Sequence, residues 1–170
     1  NLQMAKSLVK LAKPVVTSNT NYVIAPETAL AKGSSIDAFD NATEKMVLQN
    51  FVSQYPNMQF ITGVDFYRHY PQKEKPTITA NFYGQNGWFD FYNAAVQVGK
   101  NNISEKYIKS KLVVGVENFP FKNVLEPLLG DVMLDLGGTV AMRATQKDRS
   151  VFFSNDKVFA AAPIICYESI

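Results

Sequence analysis

A chain of 170 residues that is 46% hydrophobic has enough apolar surface to bury a real core, and its length favours a single domain. Seventeen Lys and Arg against fifteen Asp and Glu leave a formal charge of +2, too little to argue for nucleic acid. One cysteine, Cys166, and one histidine, His69, exclude an internal disulfide and a zinc constellation, and apolar runs such as "VFAAAPIIC" fall far short of the ~20 residues of a membrane helix.

In chain order, Leu2, Leu8, Val9 and Leu11 alternate with Lys6, Lys10 and Lys13 as on one helical face, which Pro14 stops. "NYVIAPETAL" then predicts a short strand over residues 22 to 25. Pro26 ends it, and Glu27 stands at or just past its C-terminal end. Residues 36 to 54 read as helix, and "MQFITGVDFY" reads as a second strand. Two aromatic, β-branched runs flank Asn86-Gly87, a hairpin dipeptide. "KYIKSKLVVGVENFPF" suggests a strand entering a loop, with a short helix near 122 to 129. "VFFS" and "VFAAAPIIC" close the chain as two strands around Asn155-Asp156. This interspersion implies an α/β layered domain with a mixed sheet covered by helices.

Glu27, Lys109 and Cys166 each fall near a predicted strand end, and a carboxylate, an amine and a thiol together suit nucleophilic acyl chemistry. A free thiol with a pKa of about 8.5 is only a few per cent thiolate at neutral pH, so it needs a base. An ammonium in a dry pocket favours the thiolate and balances an oxyanion. Spacing alone equally allows a core cysteine, a capping glutamate and a solvated lysine. Gly137-Gly138-Thr139 lacks the lysine and spacing of a phosphate loop, and His69 reads as a surface or structural residue. Aromatic residues around the hairpin, Phe82 to Tyr92, read mostly as core or strand-face groups.

"APETAL", "YIKSKLVVGVE" and "PIICYES" resemble, in order, the Glu, Lys and Cys motifs of the nitrilase superfamily. "YNAAV" at 92 to 96 and "LGGTVA" at 136 to 141 make the chain most similar to the periplasmic domain of the apolipoprotein N-acyltransferase family, over residue 20 to the end. The resemblance implies an α-β-β-α nitrilase-like sandwich with mixed sheets. Its first strand and the part after the cysteine would be missing, so that 1–170 is an incomplete domain of a larger, membrane-anchored protein.

It also implies transfer of a fatty acyl chain from a phospholipid to the N-terminal amine of a diacylglyceryl-cysteine lipoprotein. That reaction runs through a cysteine thioester, without metal or organic cofactor and without nucleic acid. The setting would be the periplasmic side of a bacterial inner membrane, with the membrane helices outside this segment. Glu27, Lys109 and Cys166 would be catalytic, with Glu117, Tyr107, Tyr167 and Glu168 in support; Lys111 falls outside the motif. The loop Val113–Val116 departs from the family's His-Leu-Val-Pro-Phe-Gly-Glu while keeping Glu117. A soluble amidase with the same triad, or a non-catalytic lipid- or lipoprotein-binding domain, remain as alternatives.

Overall fold

A computed structural model describes residues 1–101, 103–113 and 142–169. Helix α1 (Leu2–Ala12) buries Ala5 and Ala12 and packs Leu8 and Val9 against the core, the i, i+3, i+4, i+7 stripe of a surface helix. Leu11, expected on that stripe, is 72% exposed. Two small alanines define the buried face instead, and α1 lies against α2 (Thr43–Val52) through it.

The helix expected over 36 to 54 is cut short at its start. Asp37 holds Arg68 through two hydrogen bonds of 2.7 and 2.9 Å. Asp40 accepts from the Ser104 amide and hydroxyl and from Lys106 Nζ. These side chains spend residues 36–42 on ties to the sheet, and only a 3-10 turn, Phe39–Asn41, precedes α2.

Strand β3 (Gln59–Tyr70) is the axis of a six-stranded mixed sheet. On one side it pairs in parallel, first with β1 (Tyr22–Ile24) and then with β2 (Leu30–Ser35). On the other it pairs antiparallel with β5 (Trp88–Val98) along its length. β5 in turn carries β4 (Asn81–Phe82) and β6 (Glu105–Ile108), both antiparallel. β2 has no counterpart among the strands read from the sequence. Pro26 does end β1, but the chain resumes the same line four residues later.

Alternation sorts the residues into two faces. Phe60, Val64, Phe66, Ala94, Val96 and Val98 face α1 and α2. Ile61, Ala95 and Tyr107 face away, toward Phe152, Ala161 and Ile165 from the hairpin β7 (Phe152–Phe153) and β8 (Ala160–Ala161) and the segment after it. Gln97 Nε2 ties this hairpin to the sheet by donating to the Phe153 carbonyl at 2.7 Å. The described residues therefore form an α/β structure: helices on one face of the mixed sheet, a small second sheet on the other.

Two hairpins differ from expectation. Between β4 and β5 the turn is a five-residue loop with a 3-10 turn at Gly84–Asn86, closed by the Tyr83 amide on the Gly87 carbonyl. β4 is short because the preceding threonines turn inward: Thr77 and Thr79 donate to buried Asp90, as does Tyr70. The final strand is shorter too. β8 ends at Ala161, Pro163 removes a ladder donor, and the Ile165 amide bonds to a carboxylate rather than to a strand.

Gly63 of β3 is the tightest point of the sheet. A Cβ there would lie 2.7 Å from the Glu27 Cα and carbonyl carbon and closer still to the Thr28 amide nitrogen, all of them backbone atoms. Gly63→Ala is expected to destabilise the protein by about 1–3 kcal/mol in urea denaturation, as overpacking of a rigid site does. A cost below about 0.5 kcal/mol would show that the Glu27 segment moves aside freely.

Candidate active site

Glu27 is set by a break in a strand line. β1 and β2 both run along β3, and the Pro26–Thr28 segment between them rises over Gly63. The Ala25 amide bonds to the Ile61 carbonyl at 2.8 Å and the Gly63 amide to the Pro26 carbonyl at 3.1 Å, so the backbone is pinned up to the residue before the glutamate. Thr28 then takes a positive φ of 57°, which turns the chain back toward β2.

Lys109 comes from the opposite side of the sheet. Ala94 pairs with Ile108, and the Lys109 amide bonds to the Asn93 carbonyl at 2.8 Å, so the lysine follows directly on β6 opposite Asn93. Asn93 pairs in turn with Asp65 of β3. Asp65, Asn93 and Lys109 thus form one row on the face away from the helices. Arg143 Nη1 donates to Asp65 at 2.9 Å at the near end of that row. Its backbone bridges to Phe91.

The side chains converge over this row. Asn93 Nδ2 donates to Glu27 Oε1 at 2.7 Å, and Lys109 Nζ lies 3.6 Å from the same oxygen. The Lys109 side chain is 1% exposed, whereas that of Glu27 is 37% exposed. A buried ammonium is tolerable only with such a partner. The carboxylate keeps access to the space above.

Cys166 opens a 3-10 turn, Cys166–Ser169, and is exposed. Its φ of 50° is left-handed, an uncommon state for a side chain with a Cβ. The turn is held from below by Glu168, which is buried. Glu168 Oε1 accepts from the Tyr107 hydroxyl at 2.6 Å, from the Ser110 amide at 2.7 Å and from the Ser110 hydroxyl, and Oε2 accepts from the Ile165 amide at 2.9 Å. Burial alone would push this carboxyl's pKa up. The hydrogen bonds from Ser110, Tyr107 and Ile165 outweigh it and hold the pKa below the ordinary value. Tyr107 moves the other way, raised by burial and by the Glu168 charge it donates to.

A cavity of about 290 Å³ joins the pieces. Glu27 and Cys166 both line it, over a floor that includes Ile61, Gly63 and Ala95. Chemically, this is a thiol and a half-exposed carboxylate on one cavity, with a buried cation touching the carboxylate. Among the residues expected in support, Tyr107 and Glu168 bond to each other, and the Tyr167 ring carries Lys111 Nζ 5.0 Å from its centroid. Glu117, the loop from Val114 to Val116, the helix near 122 to 129, and Gly137-Gly138-Thr139 lie outside the described residues. His69 hydrogen-bonds the Asn86 carbonyl at 2.8 Å, a structural role. Cys166 stands five residues past the last strand, not at its end.

Three contributors escaped the sequence reading. Asn93 sits inside "YNAAV", where only its opposition to Lys109 reveals a role; Gly63 looks like an ordinary strand glycine; and Ser110 looks like loop. The signal available was a glycine interrupting an otherwise β-branched run, which points to close backbone approach.

Glu168→Gln is expected to cost about 2–4 kcal/mol at neutral pH, since four donors lose a charged acceptor. A carboxyl whose folded pKa is depressed stabilises above its unfolded value and loses that contribution as pH falls through the folded value. The gap between wild type and variant should therefore be full near neutrality and shrink as pH drops below the ordinary value of 4.5. Chemical denaturation at a series of pH values measures it, and a gap independent of pH would rule out the charge as its source. A scan against protein-family models finds no match for the chain, and a search of curated proteins finds no significant relative.

Proposed function

We propose that this chain is the nitrilase-like domain of an apolipoprotein N-acyltransferase. It would move a fatty acyl chain from a phospholipid to the N-terminal amine of a diacylglyceryl-cysteine lipoprotein. The observation that carries the reading is the contact of Glu27 with buried Lys109 at 3.6 Å, on a cavity that Cys166 also lines. The motifs around these residues supply the family. The layering of helices, mixed sheet and a second small sheet supports extending it to an α-β-β-α sandwich.

In this scheme Glu27 takes the thiol proton as the Cys166 sulfur attacks the donor's ester carbon. The Lys109 ammonium offsets the charge on the resulting oxyanion. When the tetrahedral adduct collapses, the carbon–oxygen bond to glycerol breaks. Glu27 returns the proton to that leaving oxygen, and the acyl group remains as a thioester on Cys166. The lipoprotein amine attacks the thioester next; Glu27 accepts its proton as the carbon–sulfur bond breaks and passes it to the departing sulfur, which restores the thiol. Asn93 holds Glu27 in line through Nδ2. No cofactor enters the scheme, and the membrane is reached through helices outside this segment.

Apolar lining favours acyl transfer over hydrolysis of a small polar amide. Ile61, Ala95, Phe152 and Ile165 wall the cavity, and Ile24 and Ile164 at its edge are 71% and 60% exposed. Such a rim suits an aliphatic chain arriving from lipid.

Full-length protein in detergent, given phospholipid and no acceptor, is expected to gain the mass of one acyl chain by intact mass spectrometry. Hydroxylamine should remove the increment and Cys166→Ala should abolish it. Glu27→Gln and Lys109→Met should each slow its formation by about a hundredfold or more. An unacylated wild type that hydrolyses small amides would replace this reading with that of a soluble amidase. Failure of both reactions would leave a lipid- or lipoprotein-binding domain.

A further inference from the structure

A second cleft, of about 610 Å³, opens at the end of the β3–β5 ribbon where Tyr70 pairs with Trp88. It shares no residue with the cavity of Glu27 and Cys166. His69, Gln72, Lys73, Phe82, Gln85 and Phe89 line it. Phe89 stands four places before Asn93 on β5, on the same face of the sheet and about 13 Å along the strand at ~3.3 Å per residue.

Bonds within the chain set the walls of this cleft. His69 Nε2 is hydrogen-bonded to the Asn86 carbonyl at 2.8 Å, Trp88 Nε1 donates to the Lys73 carbonyl at 3.2 Å, and the Tyr83 amide closes on the Gly87 carbonyl. Gly87 has a positive φ of 80°, and a Cβ there would fall 2.7 Å from the Tyr70 carbonyl oxygen, so the loop sits tight on the strand end. What these walls leave in water is mixed. Phe82 is 60% exposed and Tyr83 beside it 48%. Phe82 lies 4.9 Å from the Trp88 ring, His69 lies 4.8 Å from Phe89, and Tyr83 meets Phe89 edge-on at 5.6 Å. Gln72 and Gln85 are exposed, and among the described residues neither side chain is tied to another.

Three kinds of occupant fit this lining poorly. An aliphatic chain would bury the Gln72 and Gln85 amides and the Lys73 ammonium without partners. An added peptide strand needs free main-chain groups at a sheet edge, whereas the carbonyls of Lys73, Asn86 and Gly87 are already bonded. A cation finds no carboxylate among the lining residues. We infer that the cleft binds a saccharide, with the C–H face of an equatorially substituted pyranose against the rings of Phe82 and Phe89. Axial C–H bonds carry partial positive charge, which the negative face of an aromatic ring attracts. Sugar hydroxyls both donate and accept, and the two amides offer both, with Lys73 as a further donor. The volume lies within the ~300–1,000 Å³ of small-ligand clefts. This inference goes beyond acyl transfer at Cys166 and does not depend on it.

Saturation-transfer NMR on the full-length protein, in a detergent without a sugar headgroup, tests this with cellotriose and tri-N-acetylchitotriose, both built of equatorial pyranoses. Transfer to the ring C–H protons of one or both probes is expected. Phe82→Ala and Gln85→Ala, substitutions at exposed side chains, should each raise the dissociation constant about fivefold or more. Absence of transfer from both probes would overturn the inference. Variants that bind as the wild type does would overturn it too, because the sugar would then sit elsewhere. Adenosine and octanol serve as competitors: displacement of the bound probe by either at equal concentration would mean an indiscriminate aromatic or apolar cleft, and the saccharide assignment would fall. Retention of the probe against both supports it. Cys166 acylation by phospholipid, measured on the same preparation, reports separately on acyl transfer, and its failure would leave the saccharide site standing.

Discussion

Close approach of two backbones at Gly63 is the constraint from which the rest of the site follows. β3 runs unbroken for twelve residues, whereas the strand line beside it is broken between β1 and β2. The break puts Pro26, Glu27 and Thr28 on top of the sheet, and only a residue without a Cβ leaves room beneath them. With Glu27 there, the buried ammonium of Lys109 has its counter-charge. With Lys109 fixed to the Asn93 carbonyl, the carboxylate has its cation and its amide donor from adjoining positions of two paired strands.

Two glutamates serve this region in opposite ways, and their environments separate them. Glu168 is buried, with four donors on its two oxygens and a depressed pKa. It is an anion at neutral pH, and both of its oxygens are used in holding the turn, Ser110 and Tyr107 in place. Glu27 is more than a third exposed and borders the cavity. Its oxygens therefore stay within reach of whatever occupies that space. Titratable groups with divergent surroundings are the usual sign of divided labour in a site.

What could be read from the chain beforehand was local. Glu27 beyond Pro26, the long β3 run, α1 and the Asn155-Asp156 hairpin are each signalled by neighbours in sequence, and each is present. β2 was hidden because "LAKGSS" has little β-branched character; its partner β3 makes it a strand. The span "APIIC" carries the opposite lesson. Its apolar run reads as strand, but Pro163 and the Glu168 carboxylate compete for the backbone, and a 3-10 turn results. Asn93, Gly63 and Ser110 matter only through residues tens of positions away, and no local pattern marks such a role.

Glu168 also explains how a flexible-looking segment can hold a thiol at a left-handed φ. A strained residue persists only where its surroundings over-determine it. Here the carboxylate two residues on from Cys166 grips Ser110, the residue directly after Lys109, by both amide and hydroxyl. The cation and the thiol therefore share one anchor, although 57 positions separate them in sequence. Ile165, immediately before the thiol, bonds to the same carboxylate, so both sides of the turn are clamped. Tyr107, which precedes Lys109 by two residues, completes the grip from β6. The relative placement of the two groups is thus a property of one saturated buried carboxylate rather than of two independent loops. Conformational freedom at the turn is lost on folding, and under the acyl-transfer scheme proposed above that is the preorganisation the thiol would require.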